Sequence, residues 1–388
     1  MLNNLNFKKI SLWLFVTILA CFAIATLLFF QIDIKDFKDN KYQYDVNEEK
    51  YFATGEIKDI NIDSFLSDIN IIESDDTKVK VHIYGKLYSK KKTEETPPVI
   101  ELVEGTLNIK ENRKSSISIG INFNIGELFQ RDEMKIDLFV PKGYSENIKI
   151  DSSSGNVKAD PLSLKEFDIK TFSGDIELKD VTADTANFET SSGNINVANI
   201  QAIDIKINSF SGNNDFKSIN ADKVYIENSS GNISLGTVEA GKIAGATFSG
   251  NITADVIKVD DVEMSTSSGR IRIEGATIKK IKCETFSGNI TFNNASLNDS
   301  DIDATSGNVT ITLIEGSEFA LEANSSSGNV ACDFPINITE KQGKHEIKGV
   351  VGKATNKMKI NTFSGNINIS KSENLRMKFL RRFFAKFI

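Results

Sequence analysis

One short motif returns along this chain at a fixed interval, and that interval restricts the fold more than any other feature. Its glycines are Gly155, Gly174, Gly193, Gly212, Gly231, Gly250, Gly269, Gly288 and Gly307, each 19 residues after the last. Gly328 follows after 21 residues and Gly365 after 37. The first copies read Ser153-Ser154-Gly155-Asn156, Phe172-Ser173-Gly174-Asp175 and Ser191-Ser192-Gly193-Asn194. A unit this short cannot enclose a core of its own. It must bury its apolar face against the units on either side.

Apolar residues recur at fixed offsets from each glycine. Seven before it stand Ile148, Phe167, Ile205, Val224 and Ile243, with Ser300 an exception. Five before it stand Ile150, Ile169, Phe188, Ile207 and Cys283. Two after it come Val157, Ile176, Ile195 and Ile233, with Asn214 an exception; four after it come Ala159, Leu178, Val197 and Phe216. A third pair lies seven and nine residues on, as in Val181/Ala183 and Ile200/Ala202. The spacing of two within each pair is the strand period. The pattern predicts an all-β chain: a parallel β-solenoid (β-helix-like) with rungs of about 19 residues stacked about 4.8 Å apart.

Other columns carry their own expectations. Glycine at the corner is expected to supply a positive φ that a tight bend requires. The Asn that follows is expected to hydrogen-bond from rung to rung, with Asp175 and Arg270 breaking the ladder. The residue two before glycine alternates as Ser153, Phe172, Ser191, Phe210, Ser229, Phe248, Ser267 and Phe286, then Thr305, Ser326 and Phe363. Large and small side chains in that order are expected to interlock between rungs. A 38-residue rung with two corners is the rival unit. The apolar columns repeat at 19 without changing character, which favours the shorter one.

The chain outside the repeats divides into distinct stretches. Residues 1–32 read as a cytoplasmic stub and a transmembrane signal-anchor helix. Lys8-Lys9 precede 23 uncharged residues from Ile10 to Ile32, long enough to span a bilayer with the N-terminus inside. A cleaved signal peptide and a lipoprotein site at Cys21 are the competing readings. Residues 33–50 read as a linker, and 51–147 as an irregular N-terminal β region of the solenoid that caps it. Residues 148–370 are the regular repeats. Within them, 336–352 read either as a degenerate rung with Gly343 at its corner and His345 facing inward, or as a protruding hairpin.

Residues 371–388 read as a short basic amphipathic C-terminal helix, opened by the capping-box pattern Ser370-Lys371-Ser372-Glu373. It carries Arg376, Lys378, Arg381, Arg382 and Lys386 among Phe379, Phe383, Phe384 and Phe387. Three readings stand side by side: a cap on the last rung, a segment whose cations and rings contact anionic lipid, or a helix that meets a ligand or partner.

The Ser-Gly-Asn/Asp-Ile/Val rungs, the strand Ile136 to Gly143 ending in Pro-Lys-Gly, and the N-terminal anchor resemble the bacterial DUF4097 family of adhesin-like proteins. The resemblance covers about residues 50–370. It implies a right-handed β-helix-like fold outside the cytoplasmic membrane and an association with envelope-stress systems. It supplies no established catalytic residues.

Little in the sequence suggests chemistry. A net charge of −7 and a pI near 5.2 argue against a broad basic nucleic-acid face. Acids on the rungs, such as Asp175, Glu177, Asp255 and Glu274, read as a solvated outer face. His82 and His345 sit on no metal-ligand spacing. Cys283 and Cys332 fall on different apolar columns, which makes a disulfide improbable. The expectation is a non-enzymatic envelope interaction surface with no cofactor and no metal. Its partners would be the cytoplasmic membrane and an envelope protein or cell-wall polymer, with self-association possible. A β-helix carbohydrate-active enzyme and an end-to-end scaffold are the alternatives. A cleft with three or more convergent charges would favour the enzyme, and uncapped ends would favour the scaffold.

Overall fold

The computed structural model describes residues 42–89, 98–111, 133–353 and 356–372. The proposed anchor over 10–32, the lipid-contact residues Arg376 to Phe387 and the rest of the proposed C-terminal helix after Ser372 lie outside them. The first residue of that helix, Lys371, ends a strand, and the stretch read as a linker over 33–50 is strand from Tyr42 on. The chain divides into two compact units. Of the first (Met1–Val46, Gly85–Thr96, Lys114–Glu133), the described part is mainly the outer ends of strands β1 (Tyr42–Ala53) and β4 (Lys78–Ser89). The second holds the solenoid.

Eight long strands form the regular stack: β10 (Leu162–Thr171), β11 (Ile176–Thr190), β12 (Ile195–Ser209), β13 (Asn214–Asn228), β14 (Ile233–Thr247), β15 (Ile252–Ser268), β16 (Ile271–Ser287) and β17 (Ile290–Ser306). All pair in parallel, and the register steps by 19: Ile176 lies beside Ile195, then Asn214, Ile233, Ile252, Ile271, Ile290 and Val309. The rung is therefore 19 residues, as the columns predict. Burial follows the same offsets, with Phe167, Ile205, Phe188, Ile195 and Phe216 almost fully covered. Each such aliphatic or aromatic side chain contributes about 1.5–3 kcal/mol by leaving water.

Asn214 is the exception in this core. It is fully buried in an isoleucine column, and neither its amide nitrogen nor its amide oxygen has a hydrogen-bond partner. A buried amide without partners costs about 1–3 kcal/mol in mutational terms. Asn214→Ile is therefore expected to stabilise the chain by about 2 kcal/mol, read as a higher denaturant midpoint at unchanged slope.

The corner glycines do not have the positive φ expected of them. That conformation occurs at Gly85, Gly105, Gly316 and Gly352 instead. Their role is axial approach. A Cβ on Gly174 would sit 2.0 Å from the Gly155 carbonyl oxygen, and one on Gly193 would sit 1.9 Å from that of Gly174. No side chain fits between carbonyls stacked so closely.

Both ends of the stack depart from chain order. β2 (Asp59–Ser64) pairs with β8 (Asn147–Ser152) on one side and β6 (Thr106–Lys110) on the other. β3 (Asp68–Ser74) likewise lies between β9 (Val157–Ala159) and β7 (Glu133–Pro141). At the far end, β23 (Lys357–Ser364) lies between β17 and β19 (Phe319–Ser325). β24 (Ile367–Lys371) lies between β18 (Val309–Leu313) and β20 (Val330–Cys332). The Gly365 rung is thus inserted between those of Gly307 and Gly328. An early and a late strand pair are each held between two neighbours, where fraying would break two ladders.

Residues 336–352 form a hairpin, not a degenerate rung. β21 (Asn337–Gln342) and β22 (Glu346–Val351) are antiparallel, and β22 pairs antiparallel with β19. His345 is exposed, contrary to the inward position of the rung reading, with Nδ1 against the Gly328 carbonyl. The hairpin covers this edge of the sheet. At the opposite end, β5 (Val99–Val103) pairs antiparallel with β6. Among the described residues there is no α-helix, and no helix is long and apolar enough to cross a membrane.

Candidate functional site: an exposed phenylalanine column

Strand parity sets the chemistry of the corner. Since the residues seven and five before each glycine face inward, so does the residue three before. That position is Ser152, Thr171, Thr190, Ser209, Asn228, Thr247, Thr266 and Thr285, all buried. The hydroxyls close the bend. Thr171 and Thr190 Oγ1 accept the N–H of Gly174 and Gly193 at 2.9 Å. Thr266 and Thr285 donate to the Gly250 and Gly269 carbonyls at 3.0 and 3.2 Å. Sequence reasoning missed this column, although the parity of the preceding strand predicts it.

The next residue, two before glycine, therefore points outward. Phe172, Phe210, Phe248, Phe286 and Phe363 are 65–68% exposed. The expected interlocking of rings between rungs does not occur, because the column lies outside the core. In spatial order its alternation is strict. Ser67 occupies the corner below Gly155, Gly365 lies on Gly307, and Gly328 lies on Gly365. The column thus reads Phe65, Ser153, Phe172, Ser191, Phe210, Ser229, Phe248, Ser267, Phe286, Thr305, Phe363, Ser326. Phe65, 42% exposed, is the first ring. Rings at every second rung stand about 9.6 Å apart.

The small residues leave notches between the rings. One open notch of about 250 Å³ is lined by Ser153, Phe172 and Ser191 together with Asp63, Asp151, Lys170 and Glu189. Another of about 340 Å³ is lined by Ser267, Phe286 and Thr305 with Glu284 and Asp303. The charged residues lie two positions before the phenylalanine column and on the same outward face. This acid-rich column is a second feature that the sequence reading, which found only scattered acids, did not assemble. It is locally compensated. Lys170 lies 3.9 Å from Glu189, and Lys149 lies 3.7 Å from Asp151. Lys282 lies 2.8 Å from Glu284, which holds the lysine pKa above its ordinary value. Asn361 donates to Asp303 at 2.7 Å.

On the other side of the glycine runs the asparagine ladder. Each side-chain oxygen accepts the backbone N–H of the next rung. Asp68 accepts from Asn156 at 2.9 Å, Asn156 from Asp175 at 3.0 Å, and Asp175 from Asn194 at 2.7 Å. Asp175 therefore carries the ladder instead of breaking it, because a carboxylate is also an acceptor. Arg270 does interrupt it. Its own N–H donates to Asn251 at 3.1 Å, but a guanidinium offers no acceptor to Asn289 above. Arg270→Asn is expected to restore that bond and add about 1 kcal/mol of stability, the usual net value. A thermal melt compared with the parent chain checks it.

The remaining sequence candidates are dispersed. His82 contacts Asn47 Oδ1 at 2.8 Å and stacks on Tyr84 with ring centroids 4.5 Å apart. Cys283 is buried, and burial pushes its thiol pKa up; Cys332 is half-buried, and both are free. Among the described residues no group of three or more His, Cys, Asp or Glu could hold a metal ion.

The fold and this face define a class: a parallel β-solenoid that displays a repeating aromatic surface. The sequence profile described as Toastrack DUF4097 matches residues 57–219 and 202–370, and the chain belongs to that family. No curated protein matches the chain. Two solved structures are similar to it at low identity. One is a "putative cell adhesion protein" from Clostridium sporogenes ATCC 15579, at 13% identity over 84% of this chain and 100% of that one, TM-score 0.19. The other is a "putative adhesin" from Bacteroides fragilis NCTC 9343, at 15% identity over 84% and 97%, TM-score 0.28.

Proposed function

We propose that this chain is a non-enzymatic, adhesin-like interaction protein, anchored in the cytoplasmic membrane by residues 10–32, with its solenoid outside that membrane. Its engaging surface is the phenylalanine column. The observation that carries the reading is the exposure of six rings at every second rung. Large apolar groups on display at regular intervals mark interaction surfaces. An envelope protein or cell-wall polymer would be held there, and an association with envelope stress fits such a role. Both end edges meet antiparallel hairpins, which counts against an end-to-end scaffold.

The enzyme reading keeps one observation in its favour, since Asp63, Asp151, Lys170 and Glu189 line a single notch. Asp151 and Glu189 are exposed, however, whereas a carboxylic acid catalyst is normally poised by burial. The test is a full-length chain carrying Phe172→Ser, Phe210→Ser and Phe248→Ser, immobilised in detergent and assayed for retention of solubilised envelope protein and purified cell wall from its host, so that the anchor itself holds nothing. Retention is expected to fall by roughly tenfold or more, as for loss of aromatic hot spots. Unchanged retention would remove the assignment, and loss of glycan hydrolysis in Asp151→Asn would establish the enzyme instead.

A further inference from the structure

Resting on the reading of this face as the engaging surface, we infer that, where no envelope partner holds it, the phenylalanine column is a self-complementary surface on which a second copy of this chain docks face to face and antiparallel. The argument is one of symmetry. The column has twelve positions in strict alternation, beginning with a phenylalanine and ending with a serine. A two-fold axis perpendicular to the stack places each position opposite its mirror image along the column. Because the number is even, every ring then faces a small residue. Phe65 meets Ser326, Phe172 meets Thr305, and Phe210 meets Ser267; the other three rings meet serines in the same way. Parallel pairing in register would set ring against ring. An odd number of positions would have done the same in the antiparallel case.

The interleaved ends are what make the number and the order come out. In sequence order Thr305 is followed by Ser326, and the alternation fails there. Insertion of the Gly365 rung places Phe363 between them and restores it. The notches match as well, since the Ser191 notch would take Phe286 of a second copy while the Thr305 notch takes its Phe172.

A phenylalanine presents roughly 150–250 Å². With about two-thirds of most of these side chains exposed, the rings supply on the order of 600–1,000 Å² per copy. A standard interface buries about 800 Å² per partner. The flanking columns permit approach. The residue just before each glycine, from Ser154 to Ser306, is serine in every regular rung and faces itself in the pair. In the acid-rich column Lys170 faces Asp303 while Glu189 faces Glu284, so attraction and repulsion offset. An isologous contact of this kind closes as a dimer and does not propagate.

The full-length chain in detergent, with Cys21 and Cys332 replaced by Ser, tests this. Two variants, Ser191→Cys and Phe286→Cys, are mixed and treated with a short bis-maleimide. The inference expects a cross-link between the two variants and none between identical ones. Sedimentation of the parent should show a concentration-dependent dimer. Ser191→Phe with Ser229→Phe should weaken it by roughly tenfold or more, although both changes add apolar surface, because they fill the notches. Circular dichroism confirms that each variant is folded. A monomer at every concentration, homotypic cross-links, or stronger association of the notch-filled variant would overturn the inference. The first of these outcomes would leave the face to a polymer or another protein.

Discussion

A chain carrying Gly231→Val is expected to lose about 4 kcal/mol or more of stability, at the upper end of what single substitutions do. The cause is steric and axial. A Cβ at this position would lie 2.0 Å from the Gly212 carbonyl oxygen and 2.8 Å from Asn228 Nδ2. Neither can retreat, because Gly212 is itself pressed on Gly193 below. The rungs would have to part, which breaks the ladders between β13 and β14. Gly245 supplies the contrast. It is buried in an inward column, yet a Cβ there meets nothing within 4 Å. Gly245→Ala is expected to stabilise by about 1 kcal/mol, from strand entropy and filled space. Denaturant midpoints of the two variants should move in opposite directions. Equal destabilisation of both would mean that glycine is needed for backbone conformation and not for close stacking.

The second large effect is expected at Glu111. One oxygen of its carboxylate accepts the backbone N–H groups of Phe65, Leu66 and Ser67 at 3.0–3.2 Å, and the hydroxyls of Ser64 and Ser67 at 3.0 and 2.9 Å. At regular corners such as Phe172-Ser173 and Ser191-Ser192 these N–H groups donate to carbonyls of the preceding rung, and here a carboxylate substitutes for them. Burial pushes the Glu111 pKa up, but the N–H groups of Leu66, Phe65 and Ser67 and the Ser67 hydroxyl together hold it below the ordinary value. A carboxylate with a lowered folded pKa contributes stability above its unfolded pKa. That contribution is lost as pH falls through the folded value. Glu111→Gln is expected to cost about 2–3 kcal/mol at neutral pH, the range for bonds to a charged group. The difference from the parent should close in acid. A difference that stays constant with pH would show that the carboxylate acts by shape alone.

Much of this architecture was legible in the spacing of residues. The offsets of Ile176, Leu178, Val181 and Ala183 fixed the rung length and the inward faces, because a strand alternates and a solenoid repeats. The glycines were visible, but their reason was not. Positive φ and close approach both select glycine, and only the neighbouring carbonyl distinguishes them. The alternation of Phe172 and its equivalents with serine is plain in the sequence, but alternation alone fits rings between rungs as well as rings on the outer face. Counting parity onward from Ile169 would have put Thr171 inside and Phe172 outside. The position of Phe363 between Thr305 and Ser326 was beyond local reasoning. A gap of 37 residues looks like a skipped rung, and nothing nearby says that the last strands return to an earlier level. Glu111 was missed for a related cause, since its partners lie 44 to 47 residues away.

The interleaving of the end rungs underlies both the fold and the strict order of the exposed column, and one cross-link tests it directly. Ser306 and Ser364 are exposed register partners on adjacent strands, within the separation that a disulfide spans. Ser306 and Ser327 lie two rungs apart, about 9.6 Å, which is too far. In a chain with Cys332 replaced by Ala, the pair Ser306→Cys and Ser364→Cys should oxidise readily, and the pair Ser306→Cys and Ser327→Cys should not. The reverse result would put the Gly328 rung directly on Gly307, restore chain order, and abolish the alternation of rings and serines along the face.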